Sequence, residues 1–321
     1  MRRLIPKPIR RQLSKLLFPK SPVWWANYGP LSRAVAALMP TQSPPIVVLS
    51  MPRSGSSWVG KILGLSPGAL YLREPITQTY LKKAEDGTPS FFEFDITRLP
   101  EGYGTAAENV FSGLPVFDHW ITIFPQQWAL SKRKYKRLVI KEINPFMLEW
   151  LIGNFRPRII YLVRHPVATA SSFKQLEWHG SQFEPRISRT TLRKKIPHYD
   201  KFTHSFWAEH GALQAFLLQE ALKFADEYAD MRLVKYKDIC ADPLTLFRDL
   251  YSFAQLEWND TVERKIQNHL HSEPNNTDPF STYRDTAQEA KKWKKQVPAE
   301  KIAEVKDAWL SFDLPFYQND W

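Results

Sequence analysis

Short runs of apolar residues alternate with longer stretches of helical spacing along most of the chain. The apolar runs are four to six residues long, and many are rich in β-branched residues, which is typical of strands buried on both faces of a sheet. They lie at 46–49, 69–72, 137–142, 158–163 and 231–236. Helical spacing occurs at 59–65, 145–155, 166–177, 206–228, 243–253, 259–270 and 299–310. This alternation predicts an α/β fold in which helices flank a central parallel sheet.

Polar residues stand at the predicted carboxyl ends of these strands. They are Arg53, Glu74, Lys141, Arg164 and Tyr236. Because ligands of parallel sheets bind in the crevice outside those ends, we expect the functional site at this edge. The stretch 76–136 is long, aromatic and poorly periodic, and we expect irregular helices and loops there that shape a substrate pocket.

A turn rich in serine, Met51–Ser57, joins the first predicted strand to a helix. Free backbone N–H groups and the positive end of the helix dipole at such a turn attract an anion. The serine hydroxyls add hydrogen-bond donors, and Arg53 adds a permanent charge. We interpret this turn as a phosphate-binding loop. The alternative is an ordinary strand-to-helix turn capped by serine.

The same segment contains most of a nucleoside-triphosphatase motif, Gly55-x-x-x-x-Gly60-Lys61. The next position should carry a hydroxyl group that binds Mg²⁺, but it is Ile62. The turn residues also end before Trp58, where helical spacing has already begun. A magnesium-dependent phosphotransferase is therefore the weaker interpretation.

Composition and charge narrow the choice of partners and compartment. The chain has 321 residues and a single cysteine, which excludes an intrachain disulfide and a cysteine-based metal cluster. No apolar run approaches the ~20 residues that span a bilayer. The net charge of +11 favours anionic partners. We expect a cytoplasmic protein.

We divide the chain into a basic arm, residues 1–43, and one domain, residues 44–321. Seven of the arm's basic residues lie before residue 21, and the first acidic residue of the chain is Glu74. Apolar residues between them lie roughly on one helical face, so the arm could contact an anionic membrane surface peripherally. A solvated arm, or one packed on the domain, is the alternative. The pattern makes no prediction about the oligomeric state.

Two motifs resemble those of sulfotransferases that use 3′-phosphoadenosine 5′-phosphosulfate (PAPS). The first is Pro52-Arg53-Ser54-Gly55-Ser56-Ser57-Trp58, which is similar to the family's 5′-phosphosulfate loop. The second is the strand 158–163 with the helix after it, where Arg164 and Ser172, eight positions later, match the family's 3′-phosphate motif. An arginine can hold such a phosphate with paired N–H bonds.

The resemblance implies further contacts with the nucleotide. Tyr236 matches a residue near the adenine, and Trp58 matches a tryptophan that stacks on the base, although both could equally be core residues. Arg284, in a basic late segment, is the candidate for a loop that closes over the 3′-phosphate; a solvated arginine is the alternative.

Catalytic roles also follow from the resemblance. Tyr71-Leu72-Arg73-Glu74-Pro75 is similar to a segment of the glycan-type branch that carries a glutamate base, so Glu74 is the expected base. The alternative is a carboxylate that is neutralised by Arg73 or another basic residue. Arg53 is assigned electrostatic stabilisation, because arginine does not readily donate a proton. Lys141 is expected near the sulfuryl group. The histidine of the cytosolic branch has no counterpart at Ile143.

The resemblance implies a P-loop-like, nucleotide-kinase-like sulfotransferase fold, with PAPS as donor, PAP as product and no metal requirement. The expected acceptor is a hydroxyl group on a carbohydrate or glycoconjugate, with a lipid or a small natural product as the alternative. A basic module that binds nucleic acid or acidic glycans without turnover is the non-enzymatic alternative. It would leave both phosphate motifs unexplained, and we expect no nucleic-acid partner.

Overall fold

A computed structural model describes residues 22–27, 29–83, 99, 102–177, 189–271 and 290–321. Its centre is a parallel sheet with the strand order β2-β3-β1-β4-β5. The strands are β1 Gln42–Leu49, β2 Ala69–Arg73, β3 Arg137–Glu142, β4 Arg158–Val163 and β5 Met231–Lys235. The predicted parallel sheet is confirmed. The strand expected to end at Tyr236 ends one residue earlier, and Tyr236 begins the next helix.

Helices surround the sheet and connect its strands. Those of the first half are α1 Pro30–Leu38, α2 Ser56–Leu63, α3 Pro75–Lys83, α4 Tyr103–Phe111, α5 Leu130–Arg133 and α6 Leu148–Phe155. Those of the second half are α7 Pro166–Gln175, α8 Arg189–Lys195, α9 Phe206–Glu227, α10 Tyr236–Ala241, α11 Pro243–Phe253, α12 Asp260–His271, α13 Trp293–Gln296 and α14 Ala299–Leu310. Short 3₁₀ helices lie at Trp24–Asn27, Pro125–Trp128, Pro145–Met147 and Tyr199–Phe202.

The central strand β1 is buried on both faces. Val47 and Leu49 belong to one core cluster, which includes side chains of α4, α6 and α9. Ile46 and Val48 belong to the other, which includes side chains of α2, α11 and α12. A continuous apolar run rather than an alternating one is what such two-sided burial requires.

The strands that follow β1 in the sequence are added to the sheet first on one side of β1 and then on its other side. The chain passes from β1 to the edge strand β2, inserts β3 between them, and then adds β4 and β5 beyond β1. The order therefore reverses at β1, and a crevice opens at the carboxyl ends where the connections diverge. The site residues predicted from the sequence follow the strands that border this crevice.

The last part of the predicted arm packs on the domain. Trp25 is fully buried, and its Nε1 donates a hydrogen bond of 3.1 Å to the backbone oxygen of Trp128. The basic residues of the arm up to position 20 lie outside the described residues, so the membrane contact stays a prediction. Within the described ranges, no helix combines the length and apolar character needed to cross a bilayer.

Candidate active site

The turn between β1 and α2 is shaped by two residues with a left-handed backbone. Arg53 has φ 68° and Gly55 has φ 93°. A Cβ atom on Gly55 would lie 2.2 Å from Cε2 of Tyr236, so only glycine fits under that ring. A left-handed arginine stores local strain, which in proteins is concentrated at functional sites.

The turn presents hydroxyl groups and backbone donors at the start of α2. Ser50 Oγ donates to Ser56 Oγ at 2.8 Å, which ties the end of β1 to the first residue of the helix. The helical hydrogen bonds begin with the N–H groups of Trp58 and Val59, which both donate to Gly55 O. The N–H groups of Ser56 and Ser57 therefore lie ahead of the first helical hydrogen bonds. An anion bound there would be stabilised by these two groups and by the helix dipole.

Direct hydrogen bonds join this turn to the segment after β4. Arg164 Nη1 donates to the backbone oxygen of Arg53 at 2.8 Å. In return, Arg53 Nε donates to Ser172 Oγ on α7 at 2.9 Å. The residues of the two sequence motifs, which are more than a hundred positions apart, thus form a single cluster.

Tyr236 and Trp58 line the same region in different ways. The guanidinium of Arg164 lies 5.2 Å from the ring centroid of Tyr236. Trp58 packs edge-on against Tyr236 at 6.0 Å and against Phe247 at 5.2 Å, and it is only 6% exposed. Trp58 therefore has a packing role in the core, while base stacking by this residue stays a prediction.

The cluster suits a phosphate ligand on physical grounds. It contains two guanidinium groups, that of Arg53, which donates to the hydroxyl of Ser172, and that of Arg164, which donates to the backbone oxygen of Arg53. Arg164 Nε is buried and has no hydrogen-bond partner among the described residues. A buried donor on a charged group is costly to leave unpaired, and phosphate oxygens are the acceptors that an arginine fork fits best.

A second pair of charged residues lies at the carboxyl ends of β2 and β3. The Glu74 carboxylate forms an ion pair with Lys141 Nζ, and its Oε2 accepts a hydrogen bond of 3.1 Å from Gln78 Nε2. The backbone N–H of Glu74 donates to Lys141 O at 2.6 Å. The side chain of Glu74 is 18% exposed and that of Lys141 only 3%, so the carboxylate is the part of the pair that a substrate can reach.

Opposing effects act on the pKa of Glu74. Burial of the carboxyl group acts to raise its pKa, but the Lys141 ammonium and the hydrogen bonds from Lys141 and Gln78 outweigh it. The net result is a pKa below the usual value. Glu74 is therefore ionised at neutral pH, the state in which a carboxylate can accept a proton.

The family model for the sulfotransferase family matches residues 44–260. The chain belongs to the sulfotransferase family. Mouse carbohydrate sulfotransferase 5 is 25% identical over 82% of this chain and 77% of its own length. Human carbohydrate sulfotransferase 2 is 24% identical over 82% of this chain and 62% of its own length.

A solved structure supports the fold. The sulfotransferase domain from the curacin biosynthetic pathway is 17% identical to this chain, covers 85% of it and 100% of that domain, and superposes with a TM-score of 0.50. The expected sulfotransferase fold and enzyme class are thus confirmed. The phosphotransferase and the non-catalytic binding module are not supported.

The predicted site residues of this sulfotransferase fall into two groups at one edge of the sheet. The first group lies around β1 and β4 and contains Arg53, Arg164, Ser172 and Tyr236. The turn that carries Arg53 also contains Ser54, Gly55, Ser56 and Ser57. Glu74 and Lys141 form the second group. The Arg53 side chain is hydrogen-bonded within the first group, so its predicted action on the sulfuryl group stays a prediction. Arg284 lies outside the described residues.

Glu142, to which the sequence pattern assigns no role, supports the second group. This buried carboxylate accepts hydrogen bonds from Ile76 N at 2.7 Å, Thr77 N at 3.3 Å and Thr77 Oγ1 at 2.6 Å. It therefore holds the start of α3, directly after Glu74. Burial raises the pKa of Glu142 to about 7. The sequence signal for this role was the position of an acidic residue at the end of an apolar strand, because a carboxylate buried there requires hydrogen-bond partners.

In the part of the chain that the structure describes, no group of three or more His, Cys, Asp or Glu side chains is placed to hold a metal ion. Cys240 is buried and belongs to the core cluster that includes α11.

Proposed function

We propose that this sulfotransferase moves a sulfuryl group from PAPS to a hydroxyl group of a carbohydrate acceptor and releases PAP. The observation that carries the donor assignment is the direct bonding of Arg53 to Ser172 and of Arg164 to Arg53. A ligand with phosphates at both ends would be held by that cluster. The acceptor class is supported by the relatives that are named carbohydrate sulfotransferases.

We assign the donor-binding roles by charge and position. The 5′ end of the nucleotide binds the N–H groups and hydroxyls of Ser54, Ser56 and Ser57, where the dipole of α2 favours an anion. Arg164 and Ser172 bind the 3′-phosphate. PAPS, when bound, supplies an activated sulfuryl group attached to a phosphate that can leave.

Glu74 is our candidate for the general base. Its carboxylate is ionised, partly exposed and fixed by Gln78 and Lys141, so it can accept the proton of an acceptor hydroxyl. Lys141 keeps that carboxylate charged. Once Glu74 is protonated, the Lys141 ammonium is freed from its ion pair and can stabilise negative charge that develops nearby.

A thermal-shift experiment tests the donor. We expect PAP to raise the melting temperature more than AMP does at the same concentration, because only PAP offers a 3′-phosphate to Arg164. ADP with Mg²⁺ serves as the control for a phosphotransferase. Stabilisation by ADP and Mg²⁺ together with no response to PAP would overturn the assignment.

Radiolabelled PAPS tests the acceptor. Transfer of label is measured to methyl glycosides and oligosaccharides, and in parallel to phenols, sterols and glycolipids. We expect label in the carbohydrate set. Label confined to the phenols or sterols would reject a carbohydrate acceptor while leaving the donor assignment intact.

A further inference from the structure

An exposed indole lies against Arg73, the residue that precedes Glu74. Trp120 lies in the loop between α4 and the 3₁₀ helix Pro125–Trp128, and 55% of it is exposed. The other phenylalanine, tyrosine and tryptophan side chains of this region are buried, as Trp128 and Tyr103 are, or partly buried, as Phe117 is. The indole of Trp120 is therefore accessible to a ligand.

The loop holds Trp120 in one position. Asp118 Oδ1 accepts hydrogen bonds from Trp120 N at 2.8 Å and from Ile121 N at 2.9 Å. Arg73 Nε donates to Trp120 O at 2.8 Å, and Arg73 N donates to Ile121 O at 2.9 Å. Since Ile121 is fully buried, the backbone that carries the indole is anchored on both sides.

Arg73 links the indole to the site. Its guanidinium lies 4.9 Å from the ring centroid of Trp120, where cation and π face attract each other. Arg73 directly precedes Glu74 and is the register partner of Lys141 in the sheet. Its charge also contributes to the lowered pKa of Glu74. The indole therefore stands next to the place where an acceptor hydroxyl must lie.

The chemistry of a fixed, exposed indole suits a sugar ring. Its flat apolar face packs against the C–H face of a pyranose, and its N–H edge can donate to a sugar hydroxyl. A side chain that is already held in place loses little conformational entropy on binding. A phosphate group would be attracted by Arg73 alone and would not require the indole.

We propose that Trp120 is a stacking platform for a pyranose ring of the acceptor, one ring away from the sugar that is sulfated. The inference rests on the proposed function and specifies its acceptor as an oligosaccharide. The neighbouring ring is assigned because Trp120 contacts Arg73, the residue that precedes Glu74, so the indole is one residue removed from the Glu74–Lys141 pair. Arg73 is a positioning residue that fixes the platform.

Steady-state kinetics on Trp120→Ala test the proposal. The acceptors are glucose, galactose and N-acetylglucosamine as methyl β-glycosides, together with β-linked di- and trisaccharides of the same sugars. We expect KM for the oligosaccharides to rise about 10-fold, the value of one good aromatic contact. The kcat values, and KM for the single-ring glycosides, should change less than about 2-fold. Trp120→Phe should restore most of the oligosaccharide affinity.

Matched controls separate a local effect from a general one. Tyr135→Ala removes a 71% exposed aromatic side chain at the opposite, amino-terminal edge of β3 and should leave every KM unchanged. PAP affinity of each variant reports correct folding. If Trp120→Ala loses PAP binding, Trp120→Gln replaces it with the same expected KM pattern.

Two results would overturn the platform. One is an unchanged KM for oligosaccharides in Trp120→Ala; the other is an equal rise for single-ring and longer acceptors. Both leave the proposed function standing, because the wild-type enzyme still sulfates carbohydrate. A wild-type enzyme that binds PAP and sulfates no carbohydrate would instead reject the proposed acceptor class, and the platform with it.

Discussion

Two turns leave the same edge of the sheet, one after β1 and one after β2, and each contains a non-glycine residue with a left-handed backbone. Arg53 in the first has φ 68° and Glu74 in the second has φ 51°. The first turn gathers cationic and hydroxyl side chains, and Arg164 Nε there has no partner in the described ranges. In the second turn, the Glu74 carboxylate is paired with the ammonium of Lys141 on β3.

The difference in charge balance between the two turns indicates two different functions, anion binding in the first turn and proton transfer in the second. A cluster that contains two arginine side chains and a buried arginine donor without a partner among the described residues is prepared for an anionic ligand, which would complete its hydrogen bonds. A carboxylate already paired with an ammonium is prepared for proton transfer, because the pair needs only a redistribution of charge. If this comparison holds, variants in the two turns should damage different measurable steps.

The largest effect is expected for Glu74→Gln. The amide cannot accept the acceptor's proton, so turnover should fall by ~10²-fold or more. PAP binding should stay nearly intact, because Glu74 belongs to the second turn. Single-turnover rates and calorimetric titration with PAP measure the two quantities. Unchanged turnover would remove Glu74 from the chemistry.

Arg164→Ala should weaken nucleotide binding, whereas Glu74→Gln should lower turnover. Loss of a charge-assisted hydrogen bond to the 3′-phosphate should weaken PAP binding about 10-fold or more. AMP, which lacks that phosphate, should bind with little change. Calorimetry with both nucleotides measures the difference. Equal losses for PAP and AMP would show that Arg164 does not recognise the 3′-phosphate.

The smallest expected effect is a pH-dependent change in stability for Glu142→Gln. The folded pKa of Glu142, about 7, lies above its usual value of 4.5, so the folded protein retains a proton that the unfolded chain releases. That contribution to stability is complete below pH 4.5 and is lost as the pH rises through 7. The glutamine stays neutral, so the melting temperature of the variant relative to wild type should increase from pH 5 to pH 8.

Glu149→Gln, at an exposed position of α6, is the matched control for that comparison. Its melting temperature relative to wild type should not depend on pH in this range. A constant difference for Glu142→Gln across the same range would mean that Glu142 does not carry a raised pKa. Thermal unfolding in a series of buffers is sufficient for both variants.

Local patterns predicted the elements well where a single environment acts along a whole segment. β3 and β4 have the bounds 137–142 and 158–163 that their apolar runs indicate. Helix α11 begins at Pro243 and ends at Phe253 as expected, since Asp242 caps it through Thr245 N and proline suits its first position.

Between β2 and β3 the hydrophobic pattern was less informative about the secondary structure. Helices α3 and α4 lie in the stretch expected to hold only irregular helices and loops. Helix α4 follows a glycine cap and buries Tyr103, Ala106 and Val110, but its short length leaves few positions in which a period can be recognised. Trp120 was not distinguished from its buried aromatic neighbours, because exposure depends on the hydrogen bonds of Asp118 and Arg73.

The sequence by itself determined the alternation of strands and helices, the phosphate turn and the family to which they belong. These depend on burial periodicity and on residues that are close along the chain. Only the tertiary structure decided the strand order, the attachment of Arg53 to Ser172, the ion pair of Glu74 with Lys141 and the three hydrogen bonds to Glu142. Each of these features depends on residues that are distant in the sequence and that the fold brings together. The local hydrophobic period does not determine which strands will be neighbours.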